Sequence, residues 1–277
     1  MNITAADVNK LRQMTGAGMM DCKKALQESE GDFEKAIDNL RKKGQKIAGK
    51  RADRDANEGF VVAKTTDDKS YGAVVMLNCE TDFVGKTPEF QQFAKDILDA
   101  GIKNRVRTVA ELMPLSIGAI TVEAKLNEML GKTGEKMQIA HYEVIEAPVT
   151  VAYNHFGNRL ATVLGIGPKD GNNAEEVAYE LSKQVAAMNP VAVDKDDVPQ
   201  SVIDREIEIG KEQARQEGKP EDMLEKIAVG KLNKFFKDST LLNQEYIKDN
   251  KKTCAQYIAD NDKNLKVVGF KRLMLGA

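Results

Sequence analysis

The chain has 277 residues, 42% of them apolar and 30% charged, with a formal net charge of −2. That length suffices for a sizeable core and more than one domain, and the composition is that of an ordinary globular protein. No apolar run approaches the ~20 residues that span a bilayer, and the start Asn2-Ile3-Thr4-Ala5-Ala6-Asp7 lacks the basic and apolar stretches of a secretory leader.

Residues 1–55 read as three short helices. Thr4 and Asp7 make a capping-box-like start, and Val8 and Leu11 share one face. Gly16 and Gly18 break that helix. Met19–Gln27 makes the second, with Met19, Cys22, Ala25 and Leu26 at helical spacing. By that spacing Met19 belongs in the core and Met20 outside. Gly31 ends this helix, Asp32 caps the third, and Phe33, Ala36, Ile37 and Leu40 form its apolar face up to Gly44. Residues 1–56 hold 12 Lys/Arg against 9 Asp/Glu, and residues 57–146 hold 10 against 14. The basic run Lys42–Arg54 reads as a solvated helix end leading into a polar linker, Lys50–Gly59. The alternative is a basic arm for RNA or the ribosome, but an excess of three charges is too small to drive such binding alone.

From Phe60 the pattern changes to period two. Phe60–Thr65 and Tyr71–Leu77 flank the polar turn Asp67-Asp68-Lys69-Ser70 and predict a β-hairpin. A helix carrying Phe90, Phe93, Ala94, Ile97 and Leu98 on one face follows. Val122–Leu130 reads as a helix and Gln138–Ile145 as a strand. A second hairpin, Val149–Phe156 with Arg159–Ile166, turns at Gly157-Asn158, and a helix with Val177, Leu181, Val185 and Met188 comes after it. Hairpin plus helix thus occurs twice, as an internal repeat. Residues 198–236 predict a helix, a turn at Gly218-Lys219-Pro220 and a returning helix. Val202, Ile203, Ile207 and Ile209 face Met223, Leu224, Ile227 and Ala228 along a narrow seam. A helix near Thr253–Ala259 and a strand near Leu265–Leu275 close the chain.

Catalytic constellations are missing from this pattern. The two histidines, His141 and His155, have no Cys or carboxylate at metal-ligand spacing. Neither a nucleophile elbow nor a phosphate loop is present, and Gly16-Ala17-Gly18 joins two helices where a dinucleotide site requires a preceding strand. Cys22, Cys79 and Cys254 are an odd number and far apart, which suits a reducing cytoplasm better than a disulfide framework or zinc site. These features point to a binding protein that is not an enzyme and carries no cofactor.

Two long segments stand out: Thr15-Gly16-Ala17-Gly18-Met19-Met20-Asp21-Cys22-Lys23-Lys24-Ala25-Leu26 with Gly31-Asp32, and Asn78-Cys79-Glu80-Thr81-Asp82-Phe83-Val84. Both resemble signature segments of the elongation factor Ts family, bacterial type, in the same order and at similar separation. The resemblance extends through Tyr153-Asn154-His155-Phe156-Gly157, the Gly218-Lys219-Pro220 tip and Lys231–Phe236. It departs at the C-terminus, where some members carry a further helical module and this chain stops at Ala277.

Read without the family, Thr81–Val84 sits in a loop between a strand and a helix capped near Thr87-Pro88. There Phe83 would turn inward as core and Asp82 would serve the turn. The resemblance reverses that reading. It implies that Thr81, Asp82, Phe83 and Val84 dislocate Mg²⁺ from a partner GTPase, elongation factor Tu, so that GDP leaves and GTP can bind. It also implies that Met19 and Met20 touch the GTPase nucleotide domain and that His155, otherwise a solvated turn residue, touches another of its domains. The expected fold is α+β. A three-helix, UBA-like bundle (1–55) precedes a core of two related hairpin-plus-helix subdomains (56–196 and 238–277), and an antiparallel helical hairpin (197–237) is inserted into that core. Self-association through this hairpin is a further expectation. Direct contact with nucleotide, nucleic acid or membrane is not expected.

Overall fold

The computed structural model describes residues 3–50 and 54–276, without the side chains of 45–50. Residues 51–53, within the basic run and near the start of the expected linker, lie outside the described residues. Three helices open the chain: α1 (Ala5–Thr15), α2 (Met19–Glu28) and α3 (Phe33–Lys50). Thr4 and Asp7 form a reciprocal capping box on α1, and Gly16 ends it at φ +66°. Val8, Leu11, Cys22, Ala25, Leu26 and Ala36 fill the space between the three helices. Helix α3 continues past Gly44, which was expected to mark its end. The missing side chain there serves packing, because a Cβ on Gly44 would overlap the carbonyl oxygen of Asn127.

Strands β1 (Glu58–Thr65) and β2 (Tyr71–Cys79) make an antiparallel hairpin in which Glu58 faces Cys79 and Thr65 faces Gly72. A single helical turn, α4 (Asp82–Gly85), leads into α5 (Pro88–Asn104). Thr87 caps α5 and Pro88 occupies its first turn. Short elements follow: α6 (Val109–Leu112), β3 (Ser116–Ile117) and β4 (Ile120–Thr121). Helix α7 (Val122–Thr133) then reaches β5 (Met137–Glu146), which pairs with β2. The second hairpin is β6 (Val149–Asn154) and β7 (Leu160–Gly167), followed by α8 (Ala174–Met188). Helices α9 (Gln200–Gln216) and α10 (Leu224–Ser239) run out and back. A small ribbon, β8 (Glu245–Tyr246) with β9 (Asp249–Thr253), precedes α11 (Cys254–Asn261), and β10 (Lys266–Met274) pairs with β7.

The principal sheets have orders β1-β2-β5 and β10-β7-β6. Helix α5 covers one face of the first sheet, burying Phe90, Phe93, Ile97 and Leu98 against Phe60, Val75 and Leu77. Helix α8 covers the second sheet, with Val177, Leu181 and Val185 on Val151, Leu164 and Ile166. The remaining faces meet each other through Val61, Ala63, Val74 and Met76 against Ala161 and Val163. The order is therefore helix, sheet, sheet, helix, and the class is α+β.

This layering overrides the period-two reading of the first hairpin. Every residue of β2 is buried, because each face of the strand has its own apolar partner layer. Three other apolar residues stand further out than their spacing suggested. Met188, at the last turn of α8, is exposed, as are Ile209 and Met223 on the α9–α10 pair. The seam of that pair closes on smaller residues. A Cβ on Gly210 would lie 3.1 Å from the Ala228 Cα, and Ala214, Leu224 and Leu232 fill the rest.

Candidate functional site

Thr81–Val84 is a helical turn where the sequence pattern suggested a loop. Thr81 is its N-cap, its hydroxyl accepting the Val84 amide at 3.5 Å. Three features root the turn. Val84 packs on the core beneath the first sheet. Gly85 is buried where a Cβ would lie 3.3 Å from Gly59 O and 3.4 Å from Cys79 Sγ. Cys79 donates its thiol proton to Thr81 O at 3.1 Å, and burial pushes that thiol up to about 12.

With Val84 turned inward, the next side chain back along the turn faces the solvent. Phe83 is 82% exposed, which overturns the reading of it as core. Asp82 bonds the Lys86 ammonium four residues on, and this bond holds its carboxyl below the usual range. Asp82 thus serves the turn locally, and the outward apolar group is Phe83.

The segment 132–136, running from α7 into β5, supports the turn from behind. Glu135 accepts the Thr81 amide at 3.0 Å and the Thr81 hydroxyl at 2.7 Å. Glu80 accepts the Lys136 amide at 2.6 Å and pairs with Arg54 at 3.0 Å. The sequence reading missed Glu135 because its partner lies 54 residues away. Its one local mark is the preceding Gly134, a left-handed helix end that turns the chain sharply.

Met19 and Met20 open α2, 55% and 73% exposed. Met19 lies on the Cys22–Leu26 side of the helix, as its spacing said, yet outside the core. Ala17 and Cys22, on either side of it in the chain, are the residues that enter the bundle interior there. Met14, at the end of α1, is also exposed, so methionines stand on both sides of the Gly16–Gly18 turn. That turn rests on α7, since a Cβ on Gly16 would overlap the stem of Lys132, whose ammonium pairs with Glu89. The structure therefore brings the methionine turn and the Phe83 turn to the same end of α7.

His155 lies apart from them, at the tip of the second hairpin. Its exposed ring is bonded through Nδ1 to the Tyr153 hydroxyl at 2.8 Å. Tyr153 meets Tyr179 edge-on at 6.1 Å, and the Lys183 ammonium lies 4.3 Å from the centre of the Tyr179 ring. Phe156, the neighbour of His155, is 98% exposed. Sequence reasoning had not singled it out. The following Gly157 and Asn158, both with positive φ, place Phe156 at the turn and carried the needed signal.

Among the described residues no helix is long and apolar enough to cross a membrane. A family model described as "Elongation factor TS" matches residues 80–277. Over 277 residues the chain is 50% identical to an "Elongation factor Ts" of Amoebophilus asiaticus, the match covering all of both chains. It is 51% identical to one from Christiangramia forsetii and 48% identical to one from Flavobacterium psychrophilum, covering 99% of each chain in both cases. Identity at this level over the full length, together with the model match from the Phe83 turn through β5, the second sheet and the helical pair, places the chain in the elongation factor Ts family of translation factors.

Proposed function

We propose that the chain is a guanine nucleotide exchange factor for the translational GTPase elongation factor Tu, acting in the cytoplasm and catalysing no covalent step itself. The observation that carries this reading is Phe83, a large apolar side chain presented to solvent on a turn that is itself firmly rooted. Burying one such side chain at an interface contributes ~1.5–3 kcal/mol. An aromatic side chain held out on a rooted turn suits insertion into a pocket of another surface.

Docking of Phe83 into the GTPase would displace the elements that hold Mg²⁺ and cradle the phosphates, so GDP would lose contacts and leave. By linkage, GDP must weaken the complex by the same factor that the complex weakens GDP. Met19 and Met20 supply an adaptable apolar contact to the same nucleotide domain, while His155 and its tyrosine neighbours meet a second domain. The two sheet units share one topology, a hairpin whose second strand pairs with a later strand and whose helix covers one face. This supports reading them as related subdomains, with 1–55 as a separate bundle and 197–237 as an insertion.

The test is release of labelled GDP from elongation factor Tu. Purified chain should accelerate it, and excess GDP should reverse the complex. An unchanged GDP off-rate at saturating chain overturns the proposal. Binding to RNA that falls steeply with salt would favour the basic-arm alternative.

A further inference from the structure

We infer that Glu135 is a positioning residue for exchange: it holds the Phe83 turn in its docking conformation before the partner arrives. The inference rests on the exchange reading above. The geometry is a two-point clasp, in which one carboxylate takes both the amide and the hydroxyl of Thr81, at 3.0 and 2.7 Å.

A hydroxyl has one proton to donate. Glu135 takes that proton, so the lone pairs of Thr81 Oγ are left to face the Val84 amide and cap the turn. Glu135 thereby fixes the N-cap of a four-residue helix too short to persist by itself, while Val84 and Gly85 anchor its far end. Another side-chain tie at the start of the turn is the Cys79 thiol on Thr81 O. The Asp82 carboxylate bonds Lys86 within the turn, and Phe83 reaches into solvent. Without the clasp, ordering the turn would draw on the docking energy of Phe83, and less would remain to distort the partner. The carboxylate is itself well placed, because Glu135 lies between the end of α7 and the Lys136 amide bonded to Glu80.

Two measurements on the full chain test this, with Glu135→Ala as the main variant and Glu135→Gln as the conservative one. The first is amide hydrogen exchange. In Glu135→Ala, protection of residues 81–86 should fall about tenfold or more while β2 stays protected. The second is the maximal rate of GDP release from elongation factor Tu. It should fall about tenfold in Glu135→Ala, as expected for losing hydrogen bonds to a charged group. Glu135→Gln, which keeps one acceptor, should recover part of both effects.

In a Phe83→Ala background, Glu135→Ala should change the rate by less than about twofold, because the clasp acts through Phe83. A purely structural role would add its full cost there. Unchanged protection of residues 81–86, or a full additional loss in the Phe83→Ala background, overturns the inference. Failure of the exchange reading is a separate result, seen when the wild-type chain leaves GDP release unchanged. Hydrogen exchange still shows in that case whether Glu135 holds the turn.

Discussion

The side-chain amide of Asn154 pairs with the backbone of Ala63 as a neighbouring strand would. Ala63 N donates to Asn154 Oδ1 at 2.8 Å, and Asn154 Nδ2 donates to Ala63 O at 2.9 Å. Asn158 repeats the device two residues earlier on β1. Here its backbone carbonyl accepts Val61 N at 2.7 Å, and its side-chain Nδ2 donates to Val61 O at 3.1 Å. The outer edge of β1 is thereby closed against other strands, and the hairpin tip that carries His155 and Phe156 is set firmly beside the first sheet. Replacing Asn154 by Asp keeps the acceptor but removes the donor, leaving Ala63 O unpaired. Chemical denaturation should show a loss of ~1–3 kcal/mol. An unchanged midpoint and slope would mean that this clasp contributes nothing net.

Phe83→Ala separates an outward wedge from a core residue. With 82% of the residue in solvent, no cavity forms, and stability should change by less than ~0.5 kcal/mol. The maximal exchange rate should fall at least about tenfold. A melting temperature lowered by many degrees, with exchange normal after correction for folded fraction, would refute this prediction.

Met19→Ala with Met20→Ala should leave the bundle as stable as before, since neither side chain belongs to the interior around Leu11, Cys22 and Leu26. Affinity for elongation factor Tu should weaken by about tenfold. Titration calorimetry on the double variant measures this directly, and wild-type affinity would remove the methionine turn from the interface.

Gly44 and Gly131 let α3 and α7 approach backbone to backbone, because a Cβ on Gly131 would lie 3.3 Å from the Gly44 Cα. Gly44→Val places two methyl groups where there is no room, against the Asn127 carbonyl. Overpacking of this kind costs ~1–3 kcal/mol. The expected result is faster amide exchange along α7 with α5 unaffected. Equal exchange in both helices would mean that the bundle does not depend on this crossing.

The thiols of Cys79 and Cys254 are both pushed up to about 12 by burial. An unfolded chain ionises them near ~8.5. Their stabilising contribution is therefore whole below that pH and is lost as pH rises toward 12. At pH 8, iodoacetamide should label neither residue in the native chain and both in urea. Equal rates at Cys79 with and without urea would contradict its burial.

What the sequence determined by itself was local. Caps and left-handed glycines mark helix ends within a few residues, which is why Thr4, Gly16, Thr87 and Gly134 delimit helices as a local reading would have them. Apolar spacing identified the inner face of α5, and three of the four residues it assigned to that of α8 are buried, because a helix repeats every 3.6 residues whatever lies opposite. The signature segments, too, were legible as residue strings.

Exposure was decided by the tertiary structure. The spacing of Met19 was read correctly, but burial requires a neighbour opposite, and the interior at that turn is closed by Ala17 and Cys22. A lone loop Phe ordinarily turns inward, yet Val84 and Gly85 already occupy the inward positions around Phe83. Strand β2 lost its two-faced character only once the second sheet was laid on it. The clasps of Glu135 on Thr81 and of Asn154 on Ala63 span 54 and 91 residues. Hydrogen bonds depend on distance in space, and no local pattern specifies which distant residue the folded chain brings within 3 Å.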